Sequence, residues 1–276
     1  MKHYIQLYLS KKKIFIVLIV LFLIIISLHM TFQESVYHQM NHQLYSSGGL
    51  EFFYYLHSVG QNPYHFICLL LLLPNLVSAD YLHDTQKHIS YMIETRVTPK
   101  TFYRQTFLLN IFATMLAVLI IEILVLIIIH IFYFPITFNN TVYPPLYHAT
   151  TQLLCTHEII NLILFILMTA LGYSLISALI MTLGTWVLNI YVYRCLGVIV
   201  GIALVLLPAL LQVYIPIDNL AFIIQIQNLI GLGIEGVREN PLGMSYIMLY
   251  ITCASLYSIV IVSLSAVQIK RRVRYD

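Results

Sequence analysis

Charge is what this chain has least of. Only 9% of its 276 residues are Asp, Glu, Lys or Arg, against about 25% in an ordinary soluble domain. Hydrophobic residues make up 60% and the mean hydropathy is +0.88. A surface in water cannot be built from this composition, so a soluble globular domain is excluded and the chain belongs in a membrane.

Catalytic signatures are also missing. No G-x-x-x-x-G-K-[ST] is present, so the chain cannot cradle nucleotide phosphates by itself and any ATP must be handled by a partner. There is no G-x-S-x-G and no paired acidic motif of a lipid or polyprenyl-phosphate enzyme. The stretch "HEIIN" at 157–161 begins like a zinc-protease helix, but Asn161 stands where the second histidine ligand belongs. No catalytic residue, no cofactor and no metal site is therefore assigned, and the chain is not expected to be an enzyme. Internal repeats and low-complexity segments are absent, and the four cysteines suggest no disulfide framework.

What is present is apolar length. Runs of roughly spanning size, about 20 residues, lie near 14–30, 63–79, 107–133, 158–183, 196–215 and 244–267. The expected fold is an all-α integral membrane protein, one six-helix transmembrane domain over 1–276 with no nucleotide-binding domain. The first run follows Lys11, Lys12 and Lys13 but is too long for a signal peptide and has no small-residue cleavage site after it, so it reads as a retained helix. Six spans with both ends cytoplasmic put 13 of the 14 basic residues on the inner side, with Arg238 the exception, as retention of Lys and Arg beside spans requires. The sequence pI of about 8.6 follows from that sorting and implies no nucleic acid.

The expected outer segments, roughly 31–62, 134–157 and 216–243, are rich in Tyr, Phe, His, Asn and Gln. His38 and His42 have i, i+4 spacing, with His29, Met40 and His57 nearby in sequence. That spacing suits metal ligands on one helical face, while the simpler reading is a set of polar residues on a wet outer loop. Asn139-Asn140-Thr141 is a formal glycosylation acceptor, read as a chance match. Glu122 differs from these, since it sits within the third run, where a carboxyl costs roughly 2.5–3.5 kcal/mol on insertion scales and so faces a bundle interior, a cavity or a partner. Two roles stand open for it, a substrate or proton site and a packing residue.

The inner loop is the other charged place. "YMIETRVTPKTFYRQTF", residues 91–107, interleaves Glu94, Arg96, Lys100 and Arg104 between two apolar runs. As a helix from about Asp84 to Val97, the loop sets Ile89, Met92, Ile93 and Val97 on one stripe. Thr98 then offers an N-cap and Pro99 a first-turn residue for a helix rising into the third span. Such an amphipathic helix can lie on lipid headgroups or be covered by protein.

A basic N-terminal arm, six spans, a structured loop between spans two and three, and the pattern E-T-R-x-T-P-K-x-F-Y-R-Q-x-F-L-L-N entering span three together resemble the membrane subunits of ABC-2 type transporters. The topology matches over the whole chain, the motif over about residues 80–110. The resemblance implies a permease subunit of an ATP-driven exporter in the bacterial cell membrane. It implies a coupling helix at about His88 to Arg96, with Ile89, Met92, Ile93, Glu94 and Arg96 meeting a separate ATP-binding cassette subunit. It further implies a re-entrant hairpin at about Leu220 to Gly236, and a second permease subunit, identical or related. Family members carry peptides, drugs and lipid-linked substrates, and the aromatic, weakly charged outer segments favour a hydrophobic or amphipathic peptide of bacteriocin or toxin type. The rival reading is a self-contained immunity or sensor protein of the membrane with no ATPase partner, with a membrane-embedded enzyme third.

Overall fold

The computed structural model describes residues 11–35, 49–59, 62–86, 98–138, 154, 157–184, 186–187, 189–214, 218–232 and 242–275. Among them every regular element is helical: α1 (Lys11–Ser35), α2 (Gly49–Leu56), α3 (Pro63–Leu76), α4 (Ser78–Gln86), α5 (Pro99–Phe132), α6 (Glu158–Gly184), α7 (Ile190–Tyr214), α8 (Asp218–Ile224), α9 (Gln227–Ile230) and α10 (Tyr246–Tyr275). Among the described residues six stretches are long and apolar enough to cross a membrane: Lys13–Gln33, Pro63–Asp84, Lys100–Phe132, Glu158–Gly184, Ile190–Tyr214 and Tyr246–Ile269. The chain is an all-α, multi-pass membrane protein.

The second and fourth spans form the centre. In α3 and its continuation 72% of the most apolar window is buried, and in α6 56%, against 28% for the first, fifth and sixth spans. The outer helices turn Phe15, Phe22, Phe112, Ile127, Val213 and Val262 outward, which in water would aggregate and in a bilayer is the lipid-facing surface. Lipid tails are as apolar as Leu, so helix association must rest on close packing and hydrogen bonds instead. Between α5 and α6 the bonds are Asn110 Nδ2 to Ser177 Oγ at 2.8 Å and Thr114 Oγ1 to the same oxygen at 3.0 Å.

Local sequence explains where the helices start and break. Thr98 caps α5, its Oγ1 accepting from the Thr101 amide at 3.4 Å, and Pro99 occupies the first turn, where a missing N–H costs nothing. Pro63 opens α3 in the same way. Pro74 inside α3 has no N–H for the Leu70 carbonyl, and Gly197 of α7 packs against that carbonyl so closely that a Cβ there would lie 2.1 Å from it. The loosened end of α3 is tied by Asn75, whose side chain donates to Leu71 O at 2.8 Å and Arg194 O at 3.2 Å. Lys13 completes the tie, reaching Asn75 O at 2.8 Å and Asp80 Oδ2 at 2.7 Å. Lys13 and Arg194 thus mark one end of the bundle, and Tyr133 with Phe32 and Phe52 the other, their rings 4.9 and 6.0 Å apart centre to centre.

One segment departs from its sequence expectation. Residues 31–62 read as a polar outer segment, yet α2 within it is packed into the bundle, with Phe52, Phe53, Tyr54 and Leu56 all buried. The cause is composition: "LEFFYYL" is an apolar helix of two turns, too short to be recognised as a span but long enough to bury three aromatic rings, Phe52, Phe53 and Tyr54. It begins beside Phe134 at the aromatic end and leads toward α3, so the second span is preceded by a separate helix, with His57, Ser58, Val59 and Asn62 outside both helices.

Candidate functional site

The break between α2 and α3 faces Glu122. Glu122 lies ten residues before the end of α5, about 15 Å below that end at 1.5 Å per residue, and is fully buried. His57, just past α2, places Nε2 3.1 Å from Glu122 Oε2. His65, in the first turn of α3, places Nε2 3.2 Å from Glu122 Oε1. One carboxylate therefore sits between two imidazoles brought from either side of the break, their ring centres 4.8 Å apart. Phe53 and Phe165 wall the site against His57, at 4.7 and 5.0 Å.

Proton positions follow from partners. The Nδ1 of His57 is 2.9 Å from the Phe53 carbonyl, which can only accept, so that nitrogen carries hydrogen. His65 donates from Nε2 to Glu122 Oε1, which leaves its Nδ1 bare and without a partner among the described residues. His57 Nε2 and Glu122 Oε2, although 3.1 Å apart, are off the direction of a hydrogen bond, and each is left without one. Ser58 Oγ and both polar atoms of the Asn62 side chain are buried in the same break and likewise unpartnered. Polar atoms withdrawn from water without partners cost free energy, and six of them gathered at one break in a membrane span mark a place built for more than packing.

Three of these groups, His57, His65 and Glu122, bring one donor atom each to within 4.8 Å of one another, all buried. The same trio can hold a proton between carboxylate and imidazole or share a cation. Nearby, the backbone of Gly231, just past α9, lies against the His57 carbonyl. The two short helices between the fifth and sixth spans therefore abut the break. They are held there by Thr169 Oγ1 to Ile230 O at 3.1 Å and Tyr257 OH to Ile224 O at 3.0 Å, and beside them α10 is tied to α6 by Tyr250 OH to Met168 O at 3.0 Å.

Sequence reasoning singled out Glu122, and the structure places it at the centre of the cluster. It put His57 on a wet outer loop, and this is corrected: His57 is buried, because α2 folds inward and takes it along. His29 is exposed and within 3.3 Å of the Tyr133 hydroxyl, away from the cluster. His65 was missed because it lies two residues into the second apolar run, at the edge where polar residues are ordinary, unlike Glu122 within the third. Ile89, Met92, Ile93, Glu94 and Arg96, and also His38, Met40 and His42, lie outside the described residues. Comparison with known proteins finds no family model, no curated protein and no solved structure that matches the chain.

Proposed function

We propose that the chain is the membrane-spanning permease subunit of an ATP-driven ABC exporter, moving a hydrophobic or amphipathic peptide by alternating access. The observation that carries this reading is the inward-folded pair α8 and α9 before the last span. Ala221, Ile226, Leu229 and Ile230 of this pair are buried among α6, α7 and α10, as a re-entrant hairpin at about Leu220 to Gly236 requires, with residues 233–236 outside the described stretch. A span entered through a broken helix with a buried polar break adds to it, since such breaks are tolerated at membrane depth only where protein or a water-filled path covers them.

In this reading the basic end, with Lys13 and Arg194, faces the cytoplasm of a bacterial cell and both termini lie there. ATP-driven closure of two partner ATPases moves the loop between α4 and α5, and the capped, rigid start of α5 passes that movement to the bundle. A second permease subunit completes the path.

Replacing Ile89 and Ile93 together with Asp is expected to abolish copurification of an ATP-binding cassette subunit and export, while membrane insertion is unchanged. The Leu pair keeps the stripe apolar and both activities. An Asp pair that still copurifies an active ATPase and still exports would overturn the coupling role in favour of a helix lying on lipid. Orientation is tested separately with single cysteines at Ser47 and Ser90 in a cysteine-free background. An impermeant thiol reagent applied to intact cells is expected to label the first and spare the second, and labelling of Ser90→Cys reverses the assignment.

A further inference from the structure

We infer that His57, His65 and Glu122 form an intramembrane binding site for one divalent transition cation of the zinc class, joining the α2–α3 break to α5. The inference stands whether or not the chain is an exporter subunit, since it rests on the cluster alone. Two imidazoles and one carboxylate are a donor set suited to such an ion, with Zn–N and Zn–O bonds of about 2.0–2.2 Å. Bonds of that length at tetrahedral angles put neighbouring donors about 3.3 Å apart. Each imidazole nitrogen already has one carboxylate oxygen near that spacing, His57 Nε2 with Oε2 at 3.1 Å and His65 Nε2 with Oε1 at 3.2 Å. The widest donor pair, at no more than 4.8 Å, has to close by about 1.5 Å at most to reach it.

The alternative use of the trio is a proton shared between carboxylate and imidazole, and the geometry at His57 disfavours it. A protonated Nε2 would aim its hydrogen at Oε2, whereas these two atoms are close yet misaligned, each without a hydrogen bond. Two ligands of one ion aim at the ion and not at each other, as His57 and Glu122 do here, whereas the hydrogen bond from His65 Nε2 to Glu122 Oε1 is given up, with its proton, when the ion binds. The Nδ1–H of His57 held by the Phe53 carbonyl at 2.9 Å is the outer contact that fixes the tautomer with Nε2 free to ligate. A cation also supplies the countercharge that a buried carboxylate needs. Ser58 Oγ and Asn62 Oδ1, unpartnered in the same break, are the chain's own candidates for a fourth position.

Because all three donors are buried, the ion is best supplied while the bundle assembles. The full chain is produced in zinc-depleted medium containing cobalt(II), purified in detergent and examined for bound cobalt and its visible absorption. One cobalt per chain is expected, with the intense visible bands of a tetrahedral site, exchanged for zinc without colour on zinc addition during production. Glu122→Gln is expected to weaken retention by at least about 100-fold, beyond the roughly 10–100-fold that loss of a supporting contact costs, with an unchanged elution profile. His83→Asn, on a half-buried histidine of α4 away from the cluster, is expected to retain the ion fully. His65→Cys keeps a ligating atom and is expected to hold cobalt with an added thiolate charge-transfer band, which a merely structural role for His65 would not produce. Wild-type chain without cobalt or zinc, equal retention in Glu122→Gln, or His65→Cys holding cobalt without the thiolate band would each overturn the site.

Discussion

A chain carrying Glu122→Lys is expected to fail to accumulate as a monodisperse protein, whereas Glu122→Gln should accumulate close to wild type. The two imidazoles of His57 and His65 are buried with Glu122 and face it at 3.1 and 3.2 Å. Lysine at this place removes the acceptor and buries a charge with no partner, and breaking a buried pair in this way costs about 3–5 kcal/mol. That is a large share of a total stability of roughly 5–15 kcal/mol. Glutamine keeps the volume and an acceptor oxygen for the His65 Nε2–H, so its cost is about one hydrogen bond to a charged group, roughly 1.5–3 kcal/mol at most. Size-exclusion profiles and thermal unfolding in detergent decide the matter. If Glu122→Lys elutes and melts like wild type, the carboxylate does not hold the break to α5.

This pair of variants also separates stability from ion binding. Glu122→Gln is expected to fold and yet lose the cation, so an intact elution profile with no bound cobalt supports the site, and an intact profile with bound cobalt removes it. No such separation is available from Glu122→Lys, where both are lost together.

How much of this was readable in advance depended on which signal each residue gives. The six spans and the all-α class were legible because an apolar run of spanning length has few other uses. Glu122 was legible for the same reason inverted, since a carboxyl inside such a run is conspicuous. Its partners were not, and the reasons differ. His65 sits two residues into α3, at the edge of a run, where a polar residue looks like a helix end at the membrane surface. His57 lies in a stretch whose Tyr and His content reads as a wet loop, and only the structure shows that "EFFYYL" is a helix turned inward, lowering His57 by its whole length. Periodicity over two turns is too short to tell a surface helix from a buried one. The cap of α5 at Thr98, by contrast, is a local matter of one hydroxyl and one amide, and local chemistry is what a sequence states most directly.

Gly172→Val is expected to disable the protein without removing it from the membrane. Gly172 lies in the buried middle of α6, and a Cβ there would stand 2.0 Å from the Leu229 carbonyl oxygen and 2.7 Å from its carbon. Both are backbone atoms of α9, so no side-chain rotation can relieve the clash. Overpacking of a full core costs typically about 1–3 kcal/mol. Here the response with least loss is for α9 to leave α6, since the spans themselves are unaffected. Undocking forfeits the Thr169 bond to Ile230 O and withdraws Gly231 from the His57 carbonyl, so the disturbance reaches the α2–α3 break. Insertion of the six spans and total protein in the membrane should be near wild type. Proteolysis within 218–232 in detergent should rise by about tenfold or more, the factor that each 1.4 kcal/mol of lost docking contributes. In the exporter reading transport falls with it, because α8 and α9 close one end of the path. Gly172→Val that resists proteolysis like wild type would mean that α6 and α9 do not pack backbone to backbone, and the inward fold of α8 and α9 would lose its chief support.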